Sequence, residues 1–242
     1  MEIRIVLVEP EHDGNVGLIA RAMKNFGYDD LWLLNPKARL GPEAISMASH
    51  AKDLLAKARI VQDLEEALKD CDYAVATTAI VGRSLSNLAR TPLSLREFAQ
   101  RVSGLKGKTA ILFGRESKGL NNMEIAKCDI VVTIPASSNY RTLNIATAVS
   151  ITLYELQTTA KKEAGEFERA SKEARYRLLE TFEKLTKEAQ LPPHRVPLTK
   201  RALANVISRG LISKREASLM IGVIRRATDR IRLRDAKRAH RD

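Results

Sequence analysis

The stretch IPASSNYRTLNIATAVSITLYEL, Ile134 to Leu156, decides how the chain is read. It begins as the end of a buried strand and finishes as an apolar helix. Between them lies a polar loop, Ala136 to Thr142, and Asn144 falls in the first turn of the helix. Asparagine suits a helix interior poorly, because its side chain competes with the backbone for hydrogen bonds. Polar groups placed where a strand runs into a core helix need a partner.

Upstream, short apolar runs alternate with helical patterns. IRIVLV (3–8), LWLL (31–34), YAVATT (73–78), AILFG (110–114) and IVVTIP (130–135) read as strands, with ARIV (58–61) a weaker sixth. Between them lie GNVGLIARAMKNFG, closed by Gly27 as a C′ residue, then AISMASHAKDLLAKA, DLEEALKDC, SLREFAQRV and NMEIAKC. Near-continuous apolar strands separated by helices predict an α/β fold with a parallel sheet covered on both faces. In such sheets ligands bind outside the carboxyl ends of the strands. The segments there are EPEHDGNVG, TTAIVGRSLSNLAR, FGRESKGLNN and the opening stretch. Each is polar and bears Gly or Asn, so several loops are expected to converge on one site.

After Leu156 the pattern changes. Residues 157–190 are charged, strand-free and helical in composition. LPPHRVP (191–197) breaks the chain with three prolines. TKRALANVISRG then reads as a helix ending at Gly210, and a second helix opens with Ser213 and Glu216 at capping-box spacing. Residues 1–160 therefore read as an α/β domain and 165–242 as an all-helical extension.

Charge divides the same way. The net charge of +12 splits into +2 over residues 1–150, zero over 151–190 and +10 over 191–242. A concentrated basic segment suits a polyanion, most often nucleic acid; a solvated basic tail without a partner is the alternative. No apolar run approaches the roughly 20 residues of a membrane span. The N-terminus is strand-like and soon acidic, unlike a signal peptide. Cys71 and Cys128 lack metal-ligand spacing, so a reducing, cytoplasmic setting is expected and no metal. G-x-G-x-x-G, H-E-x-x-H and G-x-S-x-G are absent, which removes support for a standard NAD site, a zincin or a hydrolase elbow. GLKGKT (104–109) precedes a strand and has the wrong spacing for a phosphate loop. Aromatics at 5% argue against a single-strand binder built on stacking platforms.

NVGLIARAMKNFG, LFGRESKGL and IPASSNYRTLNIATAVSITLYEL, in this order, resemble the three motifs of the SPOUT methyltransferases, and within them the TrmJ type. That type methylates the ribose 2′-hydroxyl of tRNA in the anticodon loop, at a position-32 type of site. The resemblance spans residues 3–160 and continues more weakly into residues 201–231. It implies a C-terminal trefoil knot in the α/β domain, which periodicity cannot reveal because knots are rare exceptions to chain topology. It implies S-adenosylmethionine (SAM) as methyl donor, bound bent in the knot, a homodimer with sites near the interface, and tRNA as partner.

The resemblance also assigns roles. Cofactor contacts fall to Thr77, Thr78, Ala79, Gly114, Glu116, Ile134, Arg141, Thr142 and Leu143, largely through backbone. Gly114 permits close backbone approach, and Asn144 is available to brace neighbouring loops. Arg21, Asn15 and Thr142 are the catalytic candidates. Arg83, Arg115, Arg225, Arg226 and Arg230 are the RNA-binding candidates, the last three from the basic face of the C-terminal helix. Arg83 and Arg90, on the long loop, fit contact with RNA or with the other subunit, and Arg115 with Glu116 also fits a role in shaping the pocket. Arg141-Thr142 stands where related enzymes often carry a Ser-rich pair; Thr keeps the hydroxyl and Arg adds a cation. Two other readings fit the same fold: a 2′-O-methyltransferase for ribosomal RNA, and a catalytically silent RNA-binding protein. Asn15, Arg21, Glu116 and Asn144 are all present, which favours an enzyme.

Overall fold

In the computed structural model, residues 2–80, 92–103, 107–159 and 169–239 are described. Seven strands are β1 (Glu2–Val8), β2 (Asp30–Leu34), β3 (Arg59–Val61), β4 (Tyr73–Thr77), β5 (Leu93–Ser94), β6 (Lys108–Phe113) and β7 (Ile130–Thr133). They form one sheet in the order β3-β2-β1-β6-β4-β7-β5, and every pairing is parallel. The helices between them are α1 (Asp13–Asn25), α2 (Pro42–Ala48), α3 (Lys52–Lys57), α4 (Leu64–Leu68), α5 (Leu95–Val102), α6 (Asn122–Ala126) and α7 (Ile145–Thr159).

Both faces of the sheet are buried, as the unbroken apolar strands require. On one, Val6, Val8, Trp32, Leu34, Ala76, Leu112 and Val131 meet Leu64, Ala67 and Leu68 of α4 and Ile125 of α6. The alternating partners Ile5, Leu7, Leu33, Val75, Ile111 and Phe113 are equally buried. α1 packs against α2 and α7, and α7 against α5. The α1–α2 approach depends on Gly17, where a Cβ would lie 2.3 Å from the Ala44 carbonyl oxygen.

The chain divides by compactness into Met1–Gly165 and Glu166–Asp242. The second unit contains α8 (Lys172–Glu188), a 3-10 turn at Pro193–Arg195, α9 (Val196–Gly210) and α10 (Lys214–Ala239). α8 packs on α10 and on α9. The capping box expected at Ser213 forms: its hydroxyl accepts the Glu216 N–H at 3.2 Å, and Glu216 accepts the Ser213 N–H at 2.6 Å. Ala217 and Thr228 are buried on α10, and Met220, Ile221, Ile224 and Ile231 are half-buried.

Several boundaries depart from the sequence reading. β5, two residues long, is too short to carry a periodicity and is absent from the expected strands. The pattern over 44–58 is two helices, interrupted by a 3-10 turn at Ser49–Ala51 where Ser49 has φ 52°. α9 starts at Val196, before the last proline, because Pro197 occupies its first turn, where the missing N–H costs nothing. Asn144 precedes α7 rather than lying within it.

Candidate functional site

Three neighbouring strands, β6, β4 and β7, end on one cavity of about 260 Å³. Thr77, Thr78, Ala79 and Ile80 line it from the end of β4 and Phe113 to Leu120 from the end of β6. The β7–α7 segment adds Ile134, Arg141, Thr142 and Leu143, and α7 adds Ile145 and Ala148. All nine residues expected to hold a cofactor therefore stand around one cavity. Its walls combine apolar side chains with threonine hydroxyls and loop backbone. Among the described residues no group of three or more His, Cys, Asp or Glu has metal-site geometry.

A hydrogen-bonded chain ties the loops together. Glu116 accepts the N–H groups of Glu11 (2.9 Å) and His12 (3.4 Å) and the side-chain amide of Asn15 (3.0 Å). The Asn15 carbonyl accepts from the Asn144 amide at 3.0 Å. Asn144 Oδ1 then accepts the N–H groups of Ala146 (2.9 Å) and Thr147 (3.3 Å). Asn144 is thus the N-cap of α7, a position where asparagine is among the best residues. The side chain that reads as out of place inside a helix satisfies the helix start with its oxygen and braces α1 with its nitrogen.

Glycine at 114, besides lining the cavity, is required within its own loop. A Cβ there would lie 2.1 Å from Gly119 C and 2.2 Å from Leu120 N, so the close approach is between two strands of the protein's own loop. Gly119, at φ +64°, closes that loop by donating its N–H to the Arg115 carbonyl at 2.8 Å.

Arg115, expected to face RNA, points elsewhere. Its guanidinium holds both oxygens of Glu124 (3.1 and 2.9 Å), the Gly119 carbonyl (3.2 Å) and Glu9. Its side chain is 14% exposed. The guanidinium beside Glu9 holds that carboxyl below its ordinary range. Ser117 and Lys37 do the same for Glu11. Neither arrangement is visible in the sequence, since Glu9, Lys37 and Glu124 lie in unrelated segments.

Arg21 is exposed on α1 and does not line the cavity of its own chain. Arg225, Arg226 and Arg230 are exposed on α10. Arg83 and Arg90 lie outside the described residues. No described helix is long and apolar enough to cross a membrane.

Residues 2–154 match the SpoU rRNA methylase family. A tRNA (cytidine-2′-O-)-methyltransferase, TrmJ, of Methanocaldococcus jannaschii is 38% identical over 221 residues, covering 89% of this chain and 95% of that one. The crystal structure of TrmJ from Z. mobilis superposes with a TM-score of 0.65 at 30% identity, covering 93% of this chain and 98% of that one. A methylase family protein from Haemophilus influenzae superposes with a TM-score of 0.67 at 32% identity over 96% of this chain and 97% of that one.

Proposed function

We propose, since the chain belongs to the SpoU methylase family, that it transfers a methyl group from SAM to a ribose 2′-hydroxyl in the anticodon loop of tRNA, at a position-32 type of site. The observation that carries this is one cavity at the carboxyl ends of β6, β4 and β7, walled by the second and third motif loops together with Thr77–Ile80, with the first motif tied to the other two through Asn15, Glu116 and Asn144. Likeness to an archaeal tRNA 2′-O-methyltransferase along nearly the whole chain supports tRNA over ribosomal RNA.

The cavity suits SAM chemically. Phe113, Ile134, Leu143 and Ile145 offer apolar walls to an adenine, Thr77, Thr78 and Thr142 offer hydroxyls, and the loops offer backbone groups to a ribose and an amino acid end. Bound SAM supplies an electrophilic methyl on a sulfonium, which becomes a neutral thioether as the methyl leaves. The β7–α7 loop holds the cofactor, and the trefoil knot implied by the motif order is how that loop comes to enclose it.

Arg21 serves as a cation and hydrogen-bond donor rather than as the base. It grips the phosphate beside the acceptor ribose and stabilises the developing alkoxide, while water or a phosphate oxygen takes the proton. Most of the rate comes from positioning. Because Arg21 is exposed and does not line its own cavity, it acts at the cavity of a second copy. Leu18, Ile45 and Met47, each more than 40% exposed on α1 and α2, supply apolar surface for that homodimer.

The α/β domain, residues 1–160, holds SAM, and the basic helices of 165–242 capture tRNA through Arg225, Arg226 and Arg230. Arg83 is a further RNA-binding candidate from the sequence. Purified protein and labelled SAM, incubated in parallel with transfer RNA and with ribosomal RNA and followed by nucleoside mass spectrometry, test the reading. A ribose-methylated pyrimidine in tRNA is expected. Label only in ribosomal RNA selects the ribosomal reading, and no SAM binding selects the silent one.

A further inference from the structure

Four carboxylates, Glu9, Glu11, Glu116 and Glu124, gather where the β1–α1 loop meets the β6–α6 loop. Arg115 and Lys37 pair with Glu9, Glu11 and Glu124, while Glu116 accepts backbone and amide N–H groups. Lys37 sits outside, 57% exposed, 3.1 Å from Glu11 and 3.8 Å from Glu9. Arg115 sits inside, forked on Glu124 and bonded to Glu9. Its backbone bridges to Gly119, so the same residue closes the cavity wall and anchors it on both sides.

The two anchors are not equivalent. Glu124 caps its own helix, accepting the Asn121 N–H at 2.8 Å, so it is a fixed point. Glu9 is a non-glycine residue at φ 47°, a backbone conformation that persists only when its surroundings hold it. It is the first residue of the segment that leads through Glu11 and His12 into α1. Arg115 therefore connects a rigid point under the cavity wall to the strained start of the segment that carries Asn15 and Arg21.

We infer that Arg115 is a positioning residue for methyl transfer: through Glu124 and Glu9 it fixes the Gly114–Gly119 wall of the cofactor cavity against the entry to α1, and it makes no contact with RNA. This rests on the SAM reading above. A fork is needed because three acceptors in different directions must be held at once. Lysine, a point charge without the planar fork, replaces only part of that.

Full-length wild-type protein is compared with Arg115→Ala, Arg115→Lys and Glu9→Gln. SAM affinity is read by calorimetry, and tRNA affinity by anisotropy at several salt concentrations. Arg115→Ala is expected to raise the SAM Kd at least tenfold, about 1.4 kcal/mol. Arg115→Lys recovers part of that loss. Glu9→Gln raises the SAM Kd several-fold although Glu9 does not line the cavity. The tRNA affinity and its salt slope stay as in wild type. A phosphate contact gives the opposite pattern: SAM affinity intact, tRNA binding weakened, and a slope shallower by about one. That result, or a lowered melting temperature with SAM affinity intact, overturns the inference. If Arg115→Ala does not fold, unchanged SAM binding in both other variants overturns it equally. Wild type that binds no SAM overturns the functional reading and this inference with it.

Discussion

Replacing Asn144 separates two jobs done by one side chain. Its oxygen caps α7 through Ala146 and Thr147, and its nitrogen donates to Asn15 at 3.0 Å. A lost cap costs typically about 1 kcal/mol. The bond to Asn15 is exposed, so the low end of the usual range applies, about 0.5 kcal/mol. Asn144→Ala should therefore destabilise by about 1.5 kcal/mol, or roughly 3–6 °C for a chain of this size. Asn144→Ser keeps the cap and loses the brace, so its melting temperature should fall by only a third of that. Asn144→Asp keeps the cap and adds a favourable charge at the helix start, yet it sets a carboxylate against the Asn15 carbonyl. All three should weaken SAM binding, because the brace also orients the β7–α7 loop. Thermal unfolding by circular dichroism and calorimetric titration with SAM are the assays. Equal melting temperatures for the Ala and Ser variants would refute the cap. A SAM affinity untouched in all three would refute the brace.

Other positions give equally direct tests. Gly114→Ala places a methyl inside its own loop and should cost about 1–3 kcal/mol, read as a lower denaturation midpoint; an unchanged midpoint contradicts the close approach. Gly222 lies mid-helix, with nothing within 4 Å of the place a Cβ would take. Gly222→Ala should therefore stabilise by roughly 1 kcal/mol, and a loss of stability would contradict open space there. Glu183, hydrogen-bonded by Lys187 and Lys200, has its carboxyl lowered to about 2. Its contribution is therefore complete above the ordinary carboxylate range and fades as pH falls from about 4.5 toward 2. An NMR titration should place its midpoint near the low end and move it upward in Lys200→Met; a wild-type midpoint above about 4 refutes the pairing. The triple change of Arg225, Arg226 and Arg230 to Ala should flatten the salt dependence of tRNA binding by about 2–3 in slope and leave SAM binding alone.

The parallel sheet is legible in the sequence because each central strand is apolar on both faces, and only a doubly covered sheet uses such strands. The cavity is legible because its lining comes from contiguous motif segments at strand ends. What stays hidden depends on pairs distant in sequence. Glu9 and Arg115 are 106 residues apart, and no periodicity links them. Gly114 reads as a cavity residue and lines the cavity, but its close approach to Gly119 belongs to a loop geometry that no spacing announces. Asn144 looks misplaced only while α7 is taken to begin one residue too early.

The most direct test of the central claim uses two transfer RNAs identical except at the acceptor nucleotide, one with ribose and one with 2′-deoxyribose at position 32. Each is incubated with the protein and labelled SAM. Label is expected in the first, recovered as a 2′-O-methylated nucleoside, and none at that position in the second. Equal incorporation into both, or label recovered on a base, would contradict ribose 2′-O-methylation.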